Sequence, residues 1–524
     1  MFLFDDEPID FTRQPGSGAP VWRGRAADGD ELKDFAAAVQ LAGGRLAALW
    51  GSDCRAQDGS GGKGFRLDVV FGLNEGHAWL RLDLPEDAPA YPDLAARFPA
   101  ANRMQRATFD LVGIQHDGAD RRPWLRHGGW PDGWFPLRHD AGAPPGHENL
   151  PTDYDFVQVG GEGAHEIPVG PIHAGIIEPG HFRFSVVGER VLRLEQRLGY
   201  QHRGIEQRCI GADIATGAKL AGRVSGDSTC AFAWAYASAV EAACGVTPSP
   251  RALALRALIL ERERVANHLG DLGMLGNDAA LSFGLSQFFR LKEDWVRLNA
   301  RLFGHRFMMD AIVPGGVAVD PDAAGLAALV EQCDEMARAV KELRKIYDEH
   351  AGLQDRFLTT GTIDAALVRE LSLTGMAARA TGLILDGRSY RQGYTPPSPW
   401  ATLGVRPATD ERGDVAARAA VRFDEIFESL RLLRLLTAGL PAGEIRGEVV
   451  PVAGASGLGV IEGWRGEVLV GVRFDAAGRL ARVHPHDPSW QAWPALEHAV
   501  MRDIVPDFPL INKSFNLSYS GQDT

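Results

Sequence analysis

The chain has 524 residues, of which 45% are hydrophobic and 23% charged, and its net charge is -13 at pH 7. The length predicts two domains, and the composition is typical of a folded, soluble protein. The negative charge excludes a nucleic-acid surface, which needs clustered Lys and Arg, and gives no electrostatic reason to bind anionic lipid.

The sequence indicates a cytoplasmic protein that reaches a membrane only through other subunits. The segment Met1–Glu7 is acidic, unlike a secretory signal, and no stretch approaches the roughly 20 apolar residues that cross a bilayer. The cysteines include no Cys-x-x-Cys pair, which predicts a reducing compartment and no iron–sulfur or structural zinc site in this chain. They are Cys54, Cys209, Cys230, Cys244 and Cys333.

The first part of the chain predicts an α+β domain. Polar and apolar residues alternate over Phe65–Phe71 and again over Leu80–Leu84, with a turn at Asn74–Gly76 between them. This pattern predicts a β-hairpin. Turn-forming residues in Asp140–Asn149 predict a linker, so we expect domains at 1–145 and 165–524, joined by 146–164.

The second part predicts a mainly α-helical bundle with small β elements. Ser249 and Pro250 are typical of a helix start, and two further helices are predicted from Pro321 to about Gly352 and after Gly413. Pro396–Pro399 predicts a surface loop. Alternating valines at Val468, Val470 and Val472 predict a return to strands near the end of the chain.

Two groups of segments resemble two subunits of respiratory complex I, one after the other along the chain. The first group resembles the smaller peripheral-arm subunit and consists of Arg106–Ile114, Asp120–Arg122 and Pro136–Arg138. The second resembles the quinone-site subunit and consists of Gly170–His173, Gly199–Glu206, Gly304–Arg306, Val313–Val317, Thr374–Gly375, Arg379–Ala380, Gly413–Arg418 and Glu462–Glu467. Their fusion resembles the large subunits of energy-converting nickel–iron hydrogenases of the formate hydrogenlyase and hydrogenase-4 type.

The resemblance implies a site for nickel and iron held by two Cys-x-x-Cys pairs. This chain has Ser225, Ser228, Ser518 and Gly521 at those four positions. Neutral hydroxyls replace thiolates poorly, so we expect no metal and no cofactor in this chain. Cys230 falls two residues past the second position, about 200° round a helix, and is expected to point elsewhere.

The resemblance also implies quinone-binding and NAD-binding functions, for which the residues give less support. The quinone-site tyrosine position is Gly226, and the second histidine position is Ile177. His181 substitutes for that histidine only if Gly175–Gly180 is rearranged. Gly457–Gly459 is a fragment of a dinucleotide loop and does not predict a nicotinamide site.

Several polar residues remain as candidates. Glu178 matches a proton-relay glutamate of the hydrogenases; the alternatives are a surface residue or an ion pair with His202 or Arg203. Arg465 matches an arginine that overhangs the metal pocket; the alternative is a salt bridge with Glu462 or Asp507. His173 and His202 are each expected to be hydrogen-bonded structural histidines. The predicted cavity lining is His173, His181, His202, Arg203, Ser225, Asp227, Ser228, Arg465, Ser518 and Gly521.

The function implied is that of an oxidoreductase subunit in a membrane-attached, complex-I-like assembly, where electron transfer is coupled to ion translocation. The expected partners are a small subunit carrying an iron–sulfur cluster and membrane subunits, at the cytoplasmic face. One alternative is a non-catalytic scaffold between a cluster and the membrane arm. Others are family-typical hydrogenase or NADH–quinone oxidoreductase activity, and a cavity binding another small molecule through Ser225, Asp227, Glu178 and Arg465. These functions are discriminated by whether the pocket is open and polar or collapsed around apolar side chains.

Overall fold

The computed structural model describes residues 9–16, 18–55, 64–128, 130–143, 154–173, 177–389 and 399–524. Met1–Glu7, residues 144–153 of the predicted linker, residues 174–176 of the loop before His181, and residues 396–398 of the predicted proline loop lie outside these ranges.

Strands predominate in the first part of the chain, whereas helices predominate in the middle. The strands are β1 (Thr12–Arg13), β2 (Val21–Ala26), β3 (Arg45–Asp53), β4 (Gly64–Leu73), β5 (Gly76–Pro85), β6 (Ala90–Tyr91), β7 (Gln115–His116), β8 (Ala164–Val169), β9 (His181–Val187), β10 (Arg190–Arg197), β11 (Ile312–Val313), β12 (Gly316–Val317), β13 (Ser456–Glu462), β14 (Glu467–Phe474) and β15 (Leu480–His486). The helices are α1 (Gly29–Leu41), α2 (Ala101–Val112), α3 (Ile205–Cys209), α4 (Ile214–Ala221), α5 (Thr229–Cys244), α6 (Pro250–Asp278), α7 (Ser282–Phe303), α8 (Ala323–Glu349), α9 (Ala351–Phe357), α10 (Ala365–Glu370), α11 (Gly375–Arg379), α12 (Val415–Ala438), α13 (Ser489–Ala499), α14 (Phe508–Phe515) and α15 (Tyr519–Asp523).

The first part of the chain is built on one five-stranded sheet with the order β1-β2-β5-β4-β3. Strands β4 and β5 form the predicted hairpin, with Leu73 paired to Gly76 at its turn. Strand β2 runs parallel to β5, a pairing that the sequence did not reveal. Alternate residues Leu67, Val69 and Phe71 pack with residues of α1 and α2 in one apolar cluster, because side chains of a strand point to opposite faces in turn.

The helical part confirms the three predicted helices. The Ser249 hydroxyl accepts a hydrogen bond from the backbone N–H of Ala252, which caps α6, and Pro250 occupies the first turn. Helix α8 begins two residues later than Pro321 predicts, because Asp322 is its cap. Its buried stripe recurs every three or four residues, as an amphipathic helix requires. The stripe is Leu329, Cys333, Met336, Val340, Leu343 and Tyr347.

The sheet β13-β14-β15 packs directly on the buried, alanine-rich helix α5. A Cβ atom at Gly457 would lie 2.1 Å from the carbonyl oxygen of Ala239, and one at Gly459 would lie 1.9 Å from that of Ala235. The two glycines are therefore required for close helix–sheet packing. This explains their spacing without a dinucleotide loop.

The two predicted domains share an apolar interface. Leu458, Val460 and Leu469 of the C-terminal sheet cluster with Trp50 and Trp79 of the N-terminal sheet. Within the described ranges, no helix combines the length and apolar character needed to span a bilayer.

Candidate functional site

A polar cavity of about 280 Å³ lies where the segment before α5 meets the end of the chain. Its lining joins the loop before β9, the loop between α4 and α5, the turn between β13 and β14, and the segment from α14 to α15. The lining residues are Ile177, Glu178, Ser225, Gly226, Asp227, Arg465, Lys513, Asn516, Leu517, Ser518, Tyr519 and Ser520.

The two motifs that resemble Cys-x-x-Cys pairs meet at this cavity. The Oγ atoms of Ser225 and Ser518 are hydrogen-bonded at 2.8 Å, and the Ser518 hydroxyl also accepts a bond of 2.9 Å from the backbone N–H of Gly521. The Ser228 hydroxyl accepts a bond from Arg465 Nη1 at 3.1 Å. All four positions are thus satisfied by one hydrogen-bonded network of hydroxyls, backbone and guanidinium.

Arg465 is one of two cationic side chains in the lining, with Lys513, and the partner of Arg465 is Asp227. Nη1 donates to Asp227 Oδ1 at 2.7 Å, Nη2 donates to Oδ2, and the guanidinium stacks 4.0 Å from the Trp464 ring. Burial opposes ionisation of Asp227, but Arg465 outweighs it and holds the pKa of that carboxyl below its usual range. Arg465 therefore does overhang the pocket.

The alternative salt bridges proposed for Arg465 are wrong. Glu462 accepts instead from Arg379 at 2.8 Å, deep in a buried ion-pair network. Asp507 lies 3.4 Å from Arg356 on the surface. The partner could not be read from the sequence, because Asp227 and Arg465 are 238 positions apart.

Asp487 is a site residue that the sequence analysis missed. It is fully buried after β15, and its Oδ2 atom has no hydrogen-bond partner. A Cβ atom at Gly521 would lie 2.6 Å from this Oδ2. Burial raises the pKa of Asp487, against the opposing effect of Arg465. A carboxylate therefore fills the space beside the fourth motif position and leaves no room for a side chain there.

Glu178 lines the cavity and contacts the C-terminal helix rather than a cation. Its Oε2 atom accepts a 3.0 Å hydrogen bond from the backbone N–H of Ser520. His202 is engaged with the Asp523 carbonyl at 2.8 Å, and Arg203 donates to the Val224 carbonyl at 2.7 Å. In the ranges that the structure covers, the proposed ion pair of Glu178 with His202 or Arg203 does not form.

Six residues that the sequence predicted to line the cavity are not part of its lining: His173, His181, His202, Arg203, Ser228 and Gly521. His173 Nδ1 lies 3.2 Å from the Pro171 carbonyl, and His181 Nδ1 lies 3.2 Å from that of Gly170. Together with His202 and Arg203, they bond to backbone carbonyls, as structural side chains do. His181 is the first residue of β9 and does not line the cavity as a second histidine.

Two buried carboxyls flank the cavity and were also missed. Burial raises the pKa of Glu263 to about 7, although the backbone N–H of Cys230 donates to it at 2.7 Å. Burial likewise raises the pKa of Asp523 to about 7, and the negative charge of Glu178 adds to the rise. The thiol of Cys230 faces the Phe307 carbonyl at 3.5 Å, as its helical position predicts.

Both parts of the chain match known protein families. Residues 27–145 match the respiratory-chain NADH dehydrogenase 30 Kd subunit family, and residues 278–456 match the 49 Kd subunit family. A solved structure, titled as that of a membrane-bound sulfane sulfur reductase, an archaeal respiratory membrane complex, aligns with a TM-score of 0.64 at 24% identity, covering 69% of this chain and 99% of the other. Fold and sequence therefore define a fused chain of complex I type.

Two Escherichia coli (strain K12) proteins match almost the whole chain. Formate hydrogenlyase subunit 5 is 29% identical, covering 92% of this chain and 85% of the relative. Hydrogenase-4 component G is 30% identical, covering 92% and 84%. The chain belongs to the family of these two proteins, in agreement with the resemblance of its motifs and with the predicted α+β fold class.

Proposed function

We propose that the chain is the fused large subunit of a membrane-attached, complex-I-like oxidoreductase. We further propose that this subunit has lost the nickel–iron centre. The observation that carries this proposal is that Ser225 and Ser518 line one cavity, while Gly521 bonds to Ser518 and Ser228 bonds to the cavity residue Arg465. The framework that would place four metal-binding side chains is present, while the side chains are hydroxyls and a glycine.

The donor set does not fit a nickel–iron centre. Thiolates hold nickel and low-spin iron as anionic, soft ligands, whereas a serine hydroxyl is neutral and hard at pH 7. The hydroxyls of Ser225 and Ser518 are already bonded to each other. In the part of the chain that is described, no group of three or more His, Cys, Asp or Glu side chains could hold a metal ion.

The remaining chemistry of the site is proton exchange. Glu263 and Asp523 both carry carboxyls with a pKa of about 7, so each exchanges protons near neutral pH. Glu178 lies on the cavity wall, and its charge contributes to the raised pKa of Asp523. These groups support a role in which redox changes in a neighbouring subunit are coupled to proton transfer in this one.

The proposed assembly places the iron–sulfur cluster in a small partner subunit and the ion path in membrane subunits, at the cytoplasmic face. The names of the relatives support a membrane redox complex, since they include a formate hydrogenlyase subunit and a hydrogenase-4 component. In the alternative function, a non-catalytic scaffold, the chain would bind the same partners but would not exchange protons.

A second candidate function is the binding of a small polar ligand in the cavity. The observation that favours it is that the pocket is open and polar rather than collapsed around apolar side chains. Ser225, Asp227, Glu178 and Arg465 would then supply hydroxyl, carboxylate and guanidinium contacts.

The assembly is tested by purifying the tagged chain from gently solubilised membranes of its own host. We expect an iron–sulfur subunit and membrane proteins to copurify, with iron and acid-labile sulfide in the complex and none in the separated chain. A chain that purifies alone from these membranes, or that pellets with washed membranes lacking every partner, contradicts the proposal.

A further inference from the structure

A second cavity, of about 350 Å³, shares no lining residue with the site described above and lies between the N-terminal sheet and the C-terminal sheet. We call it the arginine cavity, because seven of its lining residues are arginines. They are Arg13, Arg23, Arg25, Arg66, Arg81, Arg473 and Arg482.

One face of the N-terminal sheet supplies most of these cations. Arg23 pairs in register with Trp79, and Arg25 with Arg81, across β2 and β5. Arg81 is in turn opposite Asp68 on β4. Side chains at alternate positions share a face, so the arginines form a continuous patch across neighbouring strands.

The same face is apolar further along the strands. Val21, Val70 and Trp79 pack there against Leu458 and Val460 of the C-terminal sheet. Towards the other end the two sheets do not close on each other, and arginines replace the apolar residues. A sheet face turned towards another sheet normally carries apolar side chains, so this change requires a reason other than core packing.

The C-terminal sheet completes the opposite wall. Ser456 accepts two hydrogen bonds from Arg23, at 3.0 Å to its carbonyl and 2.6 Å to its hydroxyl. Arg473 donates to the carbonyl of Asp53 at 3.1 Å, and Arg482 is held by Glu206 at 3.1 Å. These contacts fix guanidinium groups on both sides of the gap.

The cations of the inner wall repel one another. Burial and the charge of Arg81 lower the pKa of Arg23, and burial and the charge of Arg66 lower the pKa of Arg81. Carboxylates accompany these cations: Asp10 and Asp68 line the cavity, and Asp83 is shared among Arg25 at 3.0 Å, Arg66 at 3.2 Å and Arg81 at 3.8 Å. Arg81 Nε is buried without a hydrogen-bond partner. The seven arginines outnumber the two aspartates of the lining, so an anion that enters between the guanidinium groups relieves their repulsion.

We propose that the arginine cavity binds a small, multivalent, phosphate-bearing anion. Guanidinium groups present forked N–H donors that match phosphate oxygens, and cations on two facing walls select a ligand with more than one charged group. The volume is at the small end of the range for ligand pockets, about 300–1,000 Å³. Sheets packed about 10 Å apart leave no room for a helix that is itself about 10–12 Å wide.

The proposal is tested by titrating the full-length protein with sodium tripolyphosphate at constant ionic strength, with calorimetry and tryptophan fluorescence as readouts. Trp50 and Trp79 line the cavity and report on its occupancy. We expect saturable binding that weakens as salt rises, and a roughly tenfold or greater loss of affinity in Arg23→Gln and in Arg81→Gln. Tighter binding of ATP than of tripolyphosphate would assign a nucleotide, and equal binding a simple polyphosphate.

Arg297→Gln is the matched control, since Arg297 is exposed on α7 and pairs with Glu293. It removes the same charge and is expected to leave the affinity unchanged. Arg81→Gln is also expected to retain the unfolding midpoint of the ligand-free protein, because it relieves the repulsion from Arg66 and loses only a partly exposed ion pair of 3.8 Å with Asp83. The proposal is overturned by an absence of saturable binding, by an equal loss in Arg297→Gln, by citrate competing as well as tripolyphosphate, or by binding only to anionic vesicles or polyglutamate.

Discussion

The hydroxyl oxygens of Ser225 and Ser518 lie 2.8 Å apart, although 293 positions separate the two residues. This hydrogen bond joins the loop before α5 to the cap of α15, so it ties the two ends of the helical part together at the cavity. Ser225, Ser518 and Gly521 are bonded to one another and Ser228 is bonded to Arg465, so the stability of the protein should depend on these bonds.

We predict that Ser518→Ala lowers the free energy of unfolding by about 1–2 kcal/mol, because it removes both the bond to Ser225 and the cap of α15. Ser225→Ala should lower it by about 1 kcal/mol, and the double variant by less than the sum, since the two share one bond. Urea unfolding measures all three. Ser286→Ala is the control, because its exposed hydroxyl bonds only to the carbonyl of Ser282 at 3.1 Å; an equal effect there would show that the cavity network adds nothing.

Gly521→Ala should destabilise the protein by about 1–3 kcal/mol, because the new Cβ atom would lie 2.6 Å from Asp487 Oδ2. Gly226→Ala is the matched control in the partner motif, since no atom lies within 4 Å of a Cβ built there. Its effect should stay within about 0.5 kcal/mol. Thermal unfolding of both variants checks the difference, and a fully stable Gly521→Ala would mean that Asp487 does not occupy this space.

The pH dependence of stability should contain a contribution from Glu263. Its folded pKa of about 7 exceeds the usual glutamate value of 4.5. The folded state therefore binds the proton more tightly, so this contribution is fully present below about pH 4.5 and is lost as the pH rises to about 7. Glu263→Gln should reduce the pH-dependent change of the unfolding free energy over this window by about 2–3 kcal/mol. Unfolding curves collected from pH 4.5 to 7.5 test this, and an unchanged slope contradicts it.

Glu178→Gln separates a proton-carrying role from a structural one. The amide oxygen still accepts the hydrogen bond from the Ser520 N–H, so the assembled complex should keep its melting temperature. Coupled turnover should fall, because the variant cannot titrate. A loss of several kcal/mol of stability would assign a structural role instead, and unchanged stability and turnover together would make Glu178 an ordinary surface residue.

Local patterns predicted the elements of the fold well. The cap at Ser249, the buried stripe of α8 and the β4–β5 hairpin each depend on residues close in sequence, where propensity and periodicity act directly. The parallel pairing of β2 with β5 depends on a crossover, and no short-range pattern specifies it.

The site was predictable only in part, because contacts between residues distant in sequence leave no local pattern. The resemblance of the motifs predicted Ser225 and Ser518 in one pocket, and their hydroxyl oxygens lie 2.8 Å apart in the structure. The pairing of Arg465 with Asp227, the orphaned oxygen of Asp487 and the raised pKa of Glu263 arise from burial and long-range contacts. Such environments appear only once the chain is folded.

Elemental analysis of the intact, membrane-derived complex is the decisive test of whether the nickel–iron centre has been lost. Nickel is measured by mass spectrometry against the amount of this chain, with hydrogen evolution assayed in the same sample. Because Ser225, Ser228, Ser518 and Gly521 supply no thiolate, we predict nickel far below one per chain and no hydrogen evolution. About one nickel per chain, retained through purification, would contradict the account.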